Sequence, residues 1–111
     1  MTVTAKALVQ SKYAESSQTT QYTAGTSVRT IIDKFSAYNG TGGAVALTIN
    51  LVPSGSSAGA SNVLMSKSIN AGEAYTFPEV VGHVLNAGDF VSTLAGAATS
   101  IVIRAAGREI T

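Results

Sequence analysis

The sequence has no cysteine, no tryptophan, a single histidine and only 12% charged residues. Without cysteine, disulfides, thiolate zinc sites, thiol nucleophiles and iron–sulfur clusters are all excluded. With His83 as the one imidazole, a metal site with two His ligands is excluded, and any Ser–His–acid relay would run through that residue. No apolar run approaches the ~18 residues of a membrane span. Ala7, Leu8 and Val9 are too short a stretch for a signal-peptide core. These absences lead us to expect synthesis and folding in a cytoplasm.

Seven Lys and Arg stand against six Asp and Glu, thinly spread, for a net charge of +1. That balance gives no footprint for a phosphate backbone or an anionic membrane, so neither nucleic acid nor membrane is an expected partner. A typical soluble domain is about 25% charged, roughly twice this value. Small residues take the place of the charges: Ala, Ser, Thr and Gly fill 54 of the 111 positions. A surface of hydroxyls, methyls and backbone loses little side-chain entropy when pressed against another surface. Repeated contact is therefore favoured over life as a free monomer. The length suits one core that buries roughly two-thirds of the unfolded surface, so residues 1–111 read as a single domain that needs neither metal nor disulfide to hold it, and no cofactor is expected.

Helical periodicity is almost absent, and apolar residues alternate instead. In Ala44–Val52, Val45, Leu47, Ile49 and Leu51 fall on one face. Ser100–Ala105 and Phe90–Leu94 repeat the pattern. Further strands are expected at Thr2–Gln10, Val28–Tyr38, Val63–Ile69, Glu73–Phe77 and Arg108–Ile110, with an edge strand at Thr19–Thr23. Asn39-Gly40 is the strongest hairpin signal. One short helical turn is expected at Pro78–Leu85, opened by Pro78 and interrupted by Gly82. The sum is an all-β chain, a single antiparallel β-sandwich or jelly roll with one short helical turn. Pro53–Asn62 has no bulky anchor and reads as an exposed, mobile loop. Gln10–Ser27 is rich in Ser, Thr and Gln, and reads either as a long loop or as an arm that orders on a neighbour with Tyr13 and Tyr22 as anchors. The echo Ile69-Asn70-Ala71-Gly72-Glu73 and Leu85-Asn86-Ala87-Gly88-Asp89 predicts two related tight turns. As a cation site its two acids fall short of the dense oxygen run calcium needs.

Chemistry is sparse. Gly55-Ser56-Ser57-Ala58-Gly59 matches the nucleophile-elbow pattern G-x-S-x-G, but it lies in a small-residue loop with no helix after it, on a chain too short for the hydrolase scaffold. Neither a P-loop nor a dinucleotide fingerprint occurs. No catalytic, cofactor or metal residues are assigned, and the chain is expected not to be an enzyme. Lys34, Lys67, Arg104 and Arg108 lie in or beside predicted strands, where they either protect sheet edges or bridge to a partner's acids. Tyr13, Tyr22, Arg104 and Arg108 are the candidate interface residues.

Three stretches, Ile31–Gly55, Asn70–Val91 and Ile103 to the end, resemble small virion structural proteins of tailed bacteriophages. That resemblance implies a non-enzymatic protein that decorates or cements the head shell or forms part of the neck. Its partners would be itself, as a homodimer or homotrimer, and the major capsid or neck proteins. Its location would be the virion, after synthesis in the bacterial host cytoplasm. A carbohydrate- or receptor-binding β-sandwich is the competing reading, and it requires a planar row of exposed aromatics drawn from Tyr13, Tyr22, Tyr38 and Tyr75.

Overall fold

A computed structural model describes residues 1–111 and contains nine strands: β1 (Val3–Tyr13), β2 (Thr19–Thr23), β3 (Arg29–Asn39), β4 (Val45–Val52), β5 (Val63–Ile69), β6 (Ala74–Tyr75), β7 (Val84–Leu85), β8 (Phe90–Ala95) and β9 (Ile101–Ile110). Sheet A has the order β1-β9-β3-β6, with β7 also pairing with β3. Sheet B has the order β2-β8-β4-β5. Every pairing is antiparallel. The chain passes back and forth between the sheets, and only β4 and β5 pair with a sequence neighbour as a hairpin. This strand order decides between the two expected all-β architectures in favour of a jelly roll.

Alternation in the sequence becomes the two faces of each sheet. Ile32, Phe35 and Ala37 of β3, Ile101, Ile103 and Ala105 of β9, and Leu47 and Ile49 of β4 all point inward and are buried. Two irregularities adjust the pattern. A register shift in β1 between Ala7 and Val9 turns both Leu8 and Val9 into the core. A shift in β3 between Ile32 and Lys34 leaves both Asp33 and Lys34 outside. Phe77 has a left-handed φ of 43° although it is not glycine. Its fully buried ring holds it there, edge-on to Phe35 at 5.6 Å and to Tyr75 at 4.8 Å.

Several expectations are corrected by the structure. Asn39-Gly40 does not close a hairpin, because β3 and β4 belong to different sheets and do not pair. The fully buried Asn39 side chain instead donates to the carbonyls of Gly43 and Ile69 at 2.8 and 2.9 Å, while its Oδ1 accepts from the Thr41 amide and hydroxyl. This side chain forms the corner that carries the chain from one sheet to the other. The helical turn lies at Ala60–Asn62 as one turn of 3-10 helix, whereas Pro78–Leu85 forms non-helical turns leading into β7. Gln10–Ser27 contains the end of β1, a short turn and β2, which pairs with β8. The Tyr22 side chain is buried in the chain's own core, so it does not anchor a neighbour.

Candidate functional site

The Pro53–Asn62 loop is exposed but pinned. Asn62 accepts from the Gly59 amide at 3.0 Å and from Asn50 Nδ2 at 2.7 Å, and it donates to the Ser57 carbonyl. Asn50 Nδ2 also reaches the Gly59 carbonyl. The G-x-S-x-G segment is therefore a tied surface loop. His83 is exposed on a turn, where its carbonyl accepts from the Ile32 amide. The surface has three shallow depressions of about 160 to 320 Å³, and His83 lines none of them.

The echoed turns form as the sequence indicates. Gly72 and Gly88 are left-handed at φ 72° and 85°. Glu73 accepts from the Asn70 amide at 2.8 Å, and Asp89 accepts from the Asn86 amide at 2.9 Å. Each carboxylate is occupied by its own turn.

What distinguishes the molecule is the contrast between its two outer faces. In sheet B the only Lys, Arg, Asp, Glu or His on any strand is Lys67, which opposes the buried Leu47 and folds over the Tyr75 ring at 4.9 Å. The outward residues of that sheet include Thr20, Ala46, Thr48, Ser66, Ser68 and Leu94, and Thr48 shares a 3.0 Å hydrogen bond with Ser66. Sheet A carries charge outward: Arg29, Asp33 and Lys34 on β3, and Arg104 and Arg108 on β9. Arg108 grips Asp33 through two nitrogens at 2.9 Å, which raises its already high pKa. Arg104 reaches only the Gln10 amide oxygen at 3.2 Å.

These positions separate the two readings of the strand cations. Lys67 lies on the edge strand β5 and points inward, an arrangement that discourages edge-to-edge pairing. Lys6 and Lys12 on the edge strand β1 sit opposite Gly107 and Ile103 of the core-facing register and pair with Glu109 and Glu15. Lys34, Arg104 and Arg108 lie on the two central strands, so edge protection does not account for them. Sequence reasoning gave Arg29 no role, because only the register shows that it shares their face. Of the candidate interface residues, Tyr13, Arg104 and Arg108 are exposed and Tyr22 is not.

Between the sheets at the β1–β2 side sits a polar latch, buried at Tyr22 and Thr30 and open to solvent at Lys6. The Tyr22 hydroxyl donates to Glu109 and shares a 2.7 Å hydrogen bond with Thr30, and Lys6 closes on Glu109 at 3.3 Å. Burial first, and then the bond to the Glu109 carboxylate, push the Tyr22 phenol up to about 12. The same bond, helped by Lys6, holds Glu109 below the usual carboxylate range.

The four tyrosines do not form a row. Tyr22 is buried, Tyr75 stacks edge-on against Phe77, and only Tyr13 and Tyr38 are well exposed, so the flat aromatic platform required of a carbohydrate-binding sandwich is not built. No protein-family model matches the sequence, and no curated protein matches it. Among solved structures, the chain superposes with a TM-score of 0.58 on a protein from work described as “Bacillus endospore appendages form a novel family of disulfide-linked pili”. The match covers 99% of this chain and 88% of that chain at 15% identity. It corrects the resemblance to phage virion proteins, and with it the head-decoration, neck and virion readings: the fold is shared over nearly the whole chain with the protein of that work instead.

Proposed function

We propose that this chain is a non-catalytic structural subunit that polymerises into a surface appendage through non-covalent contacts between copies. The observation that carries the reading is the outer face of sheet B, where Thr20, Ala46, Thr48, Ser66, Ser68 and Leu94 stand with no charged strand residue, while Gln18 and the Asn62 loop cover Ser92 and Asn50. Covering such a face desolvates no charge and freezes few rotamers, so less of the contact's gain is lost to ordering. Repetition along a fibre then adds many weak contacts into a durable whole. The fold shared with a pilus protein supports the same role. A molecule 46 Å long and 20 to 26 Å across suits serial stacking. This chain has no cysteine and so cannot form the disulfide links named for those pili; its links are packing and hydrogen bonds.

Charge placed on the sheet B face tests this directly. Thr48→Lys with Ser66→Lys sets two cations where a shared hydroxyl pair now sits. Because both sites are at the surface, the variant keeps its β-sheet circular dichroism while losing polymers in electron micrographs and sedimentation. A wild-type protein that stays at 11.2 kDa up to its solubility limit would remove the reading.

A further inference from the structure

All six acidic side chains of this protein already have internal partners. Asp33 holds Arg108, Glu15 holds Lys12, and Glu109 takes Tyr22 and Lys6. Glu79 accepts from the Tyr75 hydroxyl at 2.8 Å, and Glu73 and Asp89 cap their own turns. The cations are not balanced in the same way. Lys6, Lys12 and Arg108 are paired and Lys67 covers Tyr75, but Arg29, Lys34 and Arg104 have no acid, and all three lie on the outer face of sheet A.

Two of these cations face one depression. Lys34 and Arg104 both border a hollow of about 160 Å³ that is also lined by Ser36 and Ala106. Lys34 pairs with Ala106 and Ser36 with Arg104, so the two charges are diagonal neighbours on one face. Such neighbours stand about 7 to 8 Å apart, and without an intervening acid they repel. An oxyanion seated between them, with the Ser36 hydroxyl as a further donor, would remove that cost. Arg29 lies about 15 Å farther along β3 at ~3.3 Å per residue. Toward the opposite end of the face, exposed Tyr13 and Tyr38 flank Val102, to which both are register partners.

We propose that the outer face of sheet A docks an extended acidic polypeptide segment of a partner protein, with a carboxylate seated between Lys34 and Arg104 and an apolar side chain against Tyr13, Val102 and Tyr38. A second copy of this chain is a poor occupant, because its own carboxylates are engaged. A phosphate polymer would use the cations and leave the tyrosine end bare, whereas Tyr and Arg together are the residues that dominate protein interfaces. This face is distinct from the sheet B face of the assembly reading, and the two stand or fall separately.

The test is an amide chemical-shift titration of the assembly-deficient Thr48→Lys/Ser66→Lys protein with a synthetic peptide of repeating Glu-Ser-Val-Ser, which when extended puts Glu and Val on one face. The matching Lys-Ser-Val-Ser peptide and inorganic polyphosphate run as controls. The Glu peptide is expected to shift the amides of Lys34, Ser36, Arg104 and Ala106. Its affinity should fall about tenfold or more in Lys34→Gln/Arg104→Gln, and severalfold in Tyr38→Ser. All of these side chains are exposed or half-exposed, so folding is checked by an unchanged dispersed spectrum. The proposal is overturned if no shifts occur, if shifts map elsewhere, if the Lys peptide binds equally, or if polyphosphate binds more tightly than the Glu peptide. Loss of polymerisation in Lys34→Gln/Arg104→Gln on an otherwise wild-type chain would overturn it in favour of a contact between copies. Peptide binding by a protein that never polymerises would leave this proposal standing and remove the assembly reading alone.

Discussion

At Gly107 the packing of sheet A tolerates no side chain. A Cβ there would sit 2.2 Å from the Ile31 carbonyl oxygen and 2.8 Å from Leu8 Cδ1. Backbone atoms cannot swing aside, so Gly107→Ala is expected to cost about 3 kcal/mol or more in urea unfolding. Gly42→Ala, where nothing lies within 4 Å, should stay within about 0.5 kcal/mol. The Tyr22 latch makes a second residue-scale prediction, in pH. A phenol whose pKa is raised by folding contributes stability that is fully present below the ordinary value of 10.0 and lost as pH rises through about 12. A carboxylate lowered by folding, as Glu109 is, contributes stability that is present above 4.5 and lost as pH falls through its folded pKa. Tyr22→Phe leaves Thr30 and Glu109 without their shared partner and should lose about 1 to 2 kcal/mol at neutral pH. Because Phe does not ionise, thermal melts should show the gap between wild type and variant narrowing from pH 10.0 toward about 12. A gap that stays constant across that window would show that the latch is not the cause.

At the scale of elements, Asn39 is the most consequential single side chain, because its four hydrogen bonds fix both the sheet-to-sheet corner and the end of β5. Asn39→Ala would strand the Ile69 carbonyl in the interior, and we expect a loss of about 2 to 3 kcal/mol in chemical denaturation. Asn39→Asp replaces the two N–H donations with lone-pair repulsion, and should lose at least as much. Most strands are legible in the sequence: β2 and β5 have the predicted bounds and β4 and β8 differ by one residue, whereas β1 runs on to Tyr13 and the two strands expected at Ser100–Ala105 and Arg108–Ile110 are the single strand β9. A half-buried strand writes its period of two into the sequence, and Val45, Leu47, Ile49 and Leu51 did so plainly. What stayed hidden depends on partners far along the chain. Asn39-Gly40 has the same local chemistry whether the next strand returns in the same sheet or crosses to the other. Asn62 looks like any loop residue until Asn50 is seen beside it. β7 has two residues, too few to show any period, and β3 holds it in place. The candidate docking face is half legible in the sequence: Lys34 and Arg104 stand out as cations in predicted strands, but only the pairing of β3 with β9 puts them on the same face with Arg29.

At the scale of the whole molecule, low charge, abundant small residues and the absence of cysteine combine into one physical account. Sheet B has no charge on its outer face, the inward lysines of β1 and β5 guard the long edges against unregulated pairing, and sheet A gathers its unpaired cations on its outer face. The resemblance to phage virion proteins rested on turn-and-strand patterns that many jelly rolls share, and the fold match to an appendage protein redirects it. With no thiol to crosslink, polymers of this chain should disperse in urea and remain intact in a reducing agent. Disassembly by the reductant alone would contradict non-covalent assembly of a cysteine-free chain. The most direct test of the central claim is electron microscopy of the purified protein over a concentration series, with sedimentation of the same samples. The account predicts linear polymers that lengthen with concentration and disappear in Thr48→Lys/Ser66→Lys. A strict 11.2 kDa monomer at every concentration, or polymers indifferent to those substitutions, would contradict it.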